Sequence, residues 1–305
     1  MCVVSSRLVS SRLVSSRLVS SRLAPDKIQN WVREMQEALD TDFYPPALAM
    51  KMAGRLQWTA SLCSDKVERA WIKAIHCQIH SPTPGFRVSQ WLRRSSQWWI
   101  EYLRTSPVVW RKLGDQERHH VISWSDGAGR TKRVGCVVRL ACGAWEWTAW
   151  TLPQTLIEAF LERRDNYIAM VELVSLIITF ATWQQQLKGQ LWSHYLDSVV
   201  AMGAVNNGST NPMTARDANN LVGRLWMALA KAGTGFFLNR VESKANPADE
   251  PSRDQEKLVG ELGANFRASV VPDWLWTIWD PVPLDMSFVP DPLFDGSESF
   301  LTTLE

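Results

Sequence analysis

Between residues 119 and 152 the chain carries three short runs, 119–125, 133–140 and 144–152, rich in β-branched residues and tryptophan and separated by glycine-bearing turns. That pattern predicts three consecutive antiparallel strands. A largely apolar stretch then lies within 166–187, ended by Lys188-Gly189, and predicts one long helix. Downstream, 191–196 reads as a strand, 199–205 as a short helix, 215–232 as a helix closed by Gly233, 236–241 as the last strand and 255–262 as the last helix. Three strands, helix, strand, helices, strand, helix is an α/β order: a mixed five-stranded sheet flanked by helices.

The regions around this block read differently. In residues 24–117, Ile28, Trp31, Val32, Met35 and Leu39 recur at helical spacing before Tyr44-Pro-Pro46, and a second helical pair is split by Ser81-Pro-Thr-Pro-Gly85. A helical segment is expected to precede the sheet, with Trp71, Trp91, Trp98, Trp99 and Trp110 as core packing rather than a base-stacking platform. Residues 1–23 repeat Val-Ser-Ser-Arg-Leu, a period of five that marks no single face of a helix or strand. They are expected to be a disordered basic stretch, and lack the continuous apolar core of a signal peptide. Residues 266–305, interrupted by Pro272, Pro281, Pro283, Pro290 and Pro292, read as a mostly extended acidic tail. Within it, Trp274-Leu-Trp-Thr-Ile-Trp279 either packs back on the core or docks on a partner.

Composition narrows the classes. The 305 residues are 46% hydrophobic and 21% charged, ordinary for a globular chain. The longest apolar stretch, 168–183, is broken by Glu172, Ser175 and Thr179 and is too short for a membrane span. The five cysteines include no Cys-x-x-Cys pair, which argues against a disulfide framework and for a reducing compartment. His76-Cys77-x-x-His80 is half of a zinc pattern with no second ligand pair after it. Net charge is only +2, yet residues 24–120 hold fourteen basic against ten acidic side chains while 266–305 hold one against seven. The segment before the sheet is therefore mildly basic, as a surface tracking a nucleic-acid duplex would be.

The chemistry lies in four carboxylates set among small, apolar or turn-forming residues: Asp126, Glu172, Asp197 and Asp249. A carboxylate beside an apolar run is costly to desolvate, and a divalent cation is the partner that uses several at once. Asp126 falls at the end of the first predicted strand, Glu172 in the first turns of the long helix and Asp197 at the end of the fourth strand. Asp197 is also a candidate helix N-cap, as is Asp249 for the last helix.

These contexts resemble one family: the ribonuclease H domain of retroelement reverse transcriptases, in particular those of tyrosine-recombinase retrotransposons. The resemblance covers roughly residues 121–265, and Ser243-Lys-Ala-Asn-Pro-Ala-Asp249-Glu-Pro-Ser-Arg253 is its most specific piece. Lys51-Met-Ala-Gly-Arg-Leu56 and Gln97-Trp-Trp-Ile-Glu-Tyr-Leu103 add to it as the segment that connects polymerase to nuclease. It implies two Mg²⁺ or Mn²⁺ ions held by Asp126, Glu172, Asp197 and Asp249, and cleavage of the RNA strand of an RNA–DNA hybrid. It also implies a partner, the upstream polymerase domain, whose Tyr-x-Asp-Asp motif does not occur here. Backbone contacts would come from Gly127, Ala128, Asn207, Ser209, Arg240, Ser243 and Asn246, extended by Lys51, Arg55, Arg93 and Arg94. No histidine lies between Asp197 and Asp249, where the family often carries one that helps product release, and Ser198 stands where Asn is frequent; retroelement versions tolerate both departures, with slower turnover as the expected consequence. The competing reading is a catalytically inactive nucleic-acid-binding remnant of a truncated element. A recombinase is disfavoured, because Tyr44, Tyr102, Tyr167 and Tyr195 lack an Arg/His cluster.

Overall fold

The structure, a computed structural model, describes residues 2–11, 14–63, 66–105, 109–113, 118–164, 167–211 and 214–280. In chain order the elements begin with strands β1 (Cys2–Ser11) and β2 (Val14–Leu23) and helices α1 (Pro25–Asp40), α2 (Pro46–Cys63), α3 (Lys73–His80) and α4 (Gln90–Arg104). Strand β3 (Val109–Leu113) follows, then β4 (His120–Ala128), β5 (Arg133–Arg139) and β6 (Trp145–Thr151). Next come α5 (Gln154–Ala159), α6 (Ile168–Thr182), α7 (Gln184–Leu187), β7 (Leu191–Leu196), α8 (Val199–Asn207), α9 (Arg216–Lys231) and β8 (Gly235–Arg240). The short elements α10 (Asp249–Ser252), α11 (Lys257–Glu261) and β9 (Asn265–Phe266) close the series.

The main sheet is α/β and mixed, with strand order β8-β7-β4-β5-β6-β9: β4–β5 and β5–β6 are antiparallel, and the other three pairings are parallel. It has six strands where five were expected. Gly263, at φ +64°, turns the chain after α11 so that two residues pair with β6, too few for an alternating pattern to show in sequence. Period-two alternation places Val121, Ser123 and Ser125 of β4 on the face under α6, where all three are buried. Beneath them α6 is buried almost all round, which is why its sequence is apolar without a polar stripe.

The helical segment forms as its periodicity predicts. Ile28, Trp31, Met35, Ala38 and Leu39 make the buried stripe of α1, and Ser89 caps α4 by accepting from the Leu92 amide at 3.2 Å. Trp71, Trp98 and Tyr102 stack in succession with centroids 5.5 and 5.0 Å apart, so these tryptophans are core.

Four further expectations need correction. Of the repeat in residues 1–23, expected to be disordered, residues 2–11 and 14–23 pair as antiparallel β1–β2 with β3 alongside, since main-chain pairing requires no apolar face. Strand β4 runs on to Ala128, so Asp126 lies within it. The helix expected over 166–187 breaks at Trp183, whose buried indole donates to Glu146 Oε2 at 2.6 Å, while α5 and α10 are additional and too short for a periodic signal. The tail does not start at 266: Leu275 and Ile278 are buried, and the Arg224 guanidinium donates to the carbonyls of Trp274 at 3.0 Å, Thr277 at 2.7 Å and Asp280 at 2.9 Å. Proline-interrupted chain leaves carbonyls without helical partners, and Arg224 collects them. Residues 281–305 lie outside the described residues. Among the described residues no helix is long and apolar enough to cross a membrane, and Cys77, Cys136 and Cys142 are free thiols.

Candidate metal centre

Strand register brings the first two carboxylates together. In the parallel pair Trp124 of β4 sits opposite Tyr195 of β7, so two residues on, Asp126 falls opposite Asp197, just past the end of β7. Helix α6 then brings Glu172 over β4, and carboxylate oxygens of Asp126, Glu172 and Asp197 all lie within 4.8 Å of one another. Close approach requires Gly127: a Cβ there would stand 2.7 Å from the Glu172 nitrogen and 2.8 Å from the Val171 carbonyl carbon. Gly127, expected to contact a nucleic-acid backbone, also lines the small cavity at the carboxylates, so the helix fills only the side that a Cβ would occupy. Gly127→Ala is expected to destabilise the fold by roughly 1–3 kcal/mol through backbone displacement, read by urea melts. Gly129→Ala, which meets first the flexible end of Ile168, should cost less.

Second contacts fix each carboxylate. Ser252, fully buried on α10, donates to Asp126 Oδ2, and Ser243 donates to Asp197 Oδ2 at 2.5 Å. Ser198 is the N-cap of α8 and accepts from the Ala201 amide, which leaves Asp197 free of that role. Asp249 opens α10 beside the trio rather than within it, ion-paired to Arg253 at 2.6 Å. Two carboxylate oxygens here, Glu172 Oε2 and Asp249 Oδ1, are buried with no hydrogen-bond partner. Buried carboxylate oxygens without a partner are what a cation satisfies, so the residues present fit a hard divalent metal.

Crowding dictates the protonation. Burial, then the neighbouring Asp126 and Asp197, pushes the Glu172 carboxyl up to about 10, with the Gly127 backbone hydrogen bond pulling the other way. At neutral pH the metal-free Glu172 therefore holds a proton, which it shares with Asp197 in a hydrogen bond. Asp126 is raised to about 6, chiefly by burial and further by Asp197 and Asp249, against the opposing Ser252 hydrogen bond. Asp249 is raised as well, mostly by burial.

Behind the carboxylates runs a buried polar chain that sequence reasoning missed. Trp192 Nε1 donates to Ser123 Oγ at 2.6 Å, and Ser123 meets His194 Nδ1 at 2.7 Å. His194 Nε2 meets Ser125 Oγ at 3.0 Å, Ser125 meets Ser175 Oγ at 2.6 Å, and Ser175 donates to the Glu172 carbonyl at 2.7 Å. An indole can only donate and each hydroxyl has one proton, so the donors run in one direction from both ends. Ser175 gives its proton to Glu172 and must accept from Ser125, which must accept from His194. His194 is thereby assigned as the Nε2–H tautomer, with Nδ1 accepting from Ser123. Complete burial pushes its pKa down to about 3. In ¹⁵N-histidine NMR spectra the ring is expected to stay neutral with its proton on Nε2 down to about pH 4; a Nδ1–H signal, or titration near its ordinary value of about 6.5, would refute the assignment.

Other residues expected to touch nucleic acid separate. Ala128 lines the small cavity at the carboxylates together with Ser198 and Arg253, which is more than half exposed there. Asn246 does not face it: buried, it donates to the Ser125 carbonyl at 2.9 Å and accepts from the Ala248 amide at 3.1 Å, tying the last loop to β4. Arg240 is exposed at the end of β8, and Asn207 and Ser209 line a different cleft. Lys51 and Arg55 pair with Glu34, Arg93 with Asp42, and Arg94 with the Trp279 carbonyl, so the expected upstream track is largely consumed by internal contacts. Ser252 stood inside the motif read from the sequence, and its role was invisible there because its partner Asp126 is distant in the chain; Arg253 pairs within the motif with Asp249, and only the packed structure puts it at the cavity rim.

Comparison of the chain with family models and with curated proteins found no match.

Proposed function

We propose that this chain carries a ribonuclease H-like, metal-dependent endonuclease that hydrolyses the RNA strand of RNA–DNA hybrids, of retroelement reverse-transcriptase origin. The observation that carries the reading is the convergence of Asp126, Glu172 and Asp197, from three separate elements, within 4.8 Å. Their order along the chain, and Asp249 beside them in the motif 243–253, match the pattern that the family resemblance implies.

Asp126, Glu172 and Asp197 would hold the cations, Mg²⁺ or Mn²⁺, with Asp249 at the margin. Two such ions, when bound, supply an activated water and stabilise the leaving oxygen of a phosphodiester. Ser252 and Ser243 hold the carboxylates of Asp126 and Asp197 in place. Arg253, exposed at the cavity rim, is placed to meet a phosphate oxygen. Retention of all four carboxylates favours an active enzyme over an inactive remnant. A labelled RNA–DNA hybrid incubated with the full chain and Mg²⁺ tests this: metal-dependent cutting of the RNA strand is expected, and equal cutting of single-stranded RNA would overturn it.

A further inference from the structure

Besides the carboxylate cavity, the structure holds a cleft of about 1280 Å³ between the upstream helices α2 and α3 and the helices α6 and α8. It begins where the metal centre ends: Ala169 and Val199 line the cleft, and their chain neighbours Ile168 and Ser198 line the carboxylate cavity. Pockets for small molecules run to about 1,000 Å³, so an opening of this volume suits an extended chain.

Its walls have one sign of charge. Arg69, Lys73, Arg163 and Arg164 line it, and among the described residues no carboxylate does. Arg163 is neutralised by the buried Asp217 at 2.5 Å, and Arg69 reaches the Asn207 carbonyl at 3.4 Å. Among the described residues Lys73 and Arg164 meet no carboxylate. His76 in the same wall is held below its ordinary pKa, first by burial and then by Lys73. The floor is small and apolar, with Val199 and Val200 59% and 70% exposed at its edge.

Positive charge beside bare apolar surface suits a chain that offers both phosphates and uncovered base and sugar faces. A duplex offers phosphates and sugars but keeps its base faces stacked. We infer that this cleft binds the backbone of a single nucleic-acid strand continuing from the metal centre. The inference rests on the nuclease reading for the strand's origin, while the binding itself does not depend on the metal. No Phe, Tyr or Trp lines the cleft among the described residues, so binding should be insensitive to sequence and sensitive to salt.

The test is fluorescence anisotropy of the full chain in EDTA with three probes: oligodeoxythymidine of about 20 nucleotides, a DNA duplex and an RNA–DNA hybrid. Lys73→Glu combined with Arg164→Glu is compared with Lys257→Glu, an exposed control outside the cleft. Thermal melts check that each variant is folded. The double variant should weaken oligodeoxythymidine binding at least tenfold in low salt and lower the log–log salt slope by about 1.4, the value for two lost phosphate contacts on a single strand. Unchanged affinity and slope, an equal loss in Lys257→Glu, or a loss confined to the duplex and hybrid would each overturn the inference. If wild-type protein cuts no hybrid yet the cleft charges still control strand binding, the nuclease reading fails and the cleft stands.

Discussion

Asp126→Asn and Glu172→Gln are each expected to reduce Mg²⁺-dependent cleavage by on the order of 10³-fold or more, since each removes a charged ligand that nothing nearby replaces. Their effects on folding should differ, and the difference checks the protonation assigned above. Metal-free at pH 7, Asp126 is ionised among other carboxylates, so its amide variant relieves repulsion and should melt no lower than wild type. Glu172, raised to about 10, is already neutral, so Glu172→Gln should change the metal-free melting temperature little. Both should abolish the rise in melting temperature that Mg²⁺ gives the wild-type protein. Retention of near wild-type cleavage by either variant removes that residue from the ligand set.

The second expected result is a reversal of pH dependence by metal. Asp126 and Glu172 both have folded-state pKa values raised above their ordinary values of 3.8 and 4.5. Between the ordinary and the raised pKa the folded protein holds protons that the unfolded chain has released, so stability falls as pH rises through that window. For Asp126 the window runs from about 4 to about 6 and is worth at most about 3 kcal/mol; for Glu172 it extends towards about 10. In EDTA the melting temperature of wild type, measured against the Asp126→Asn/Glu172→Gln double variant, should therefore drop from pH 5 to pH 8. Mg²⁺ favours the ionised carboxylates and expels their protons, so the stabilisation it gives should grow over the same range. A wild-type curve parallel to the double variant in EDTA would show that the carboxylates are not crowded as described.

How much of this was legible in the chain follows from the range of each interaction. Local pattern determined the strands 133–140 and 191–196, the helix 215–232 and the amphipathic stripe of α1, because alternation and helical spacing are properties of neighbouring residues. Chemistry was legible too: Asp126, Glu172 and Asp197 stand out because a carboxylate among apolar residues needs a partner. Tertiary structure decided which partner each side chain met. Asn246 read as a substrate contact and is a buried brace; Gly127 read as a backbone contact and, besides lining the cavity, seats α6; Lys51, Arg55 and Arg93 read as a track and are paired to acids. The sixth strand, the folded stretch 266–280 around Arg224, and the chain from Trp192 through His194 to Glu172 join residues tens of positions apart. Sequence spacing carries no record of such contacts, because the parallel register of β4 on β7 and the seating of α6 on β4 place the groups together only after the chain has packed.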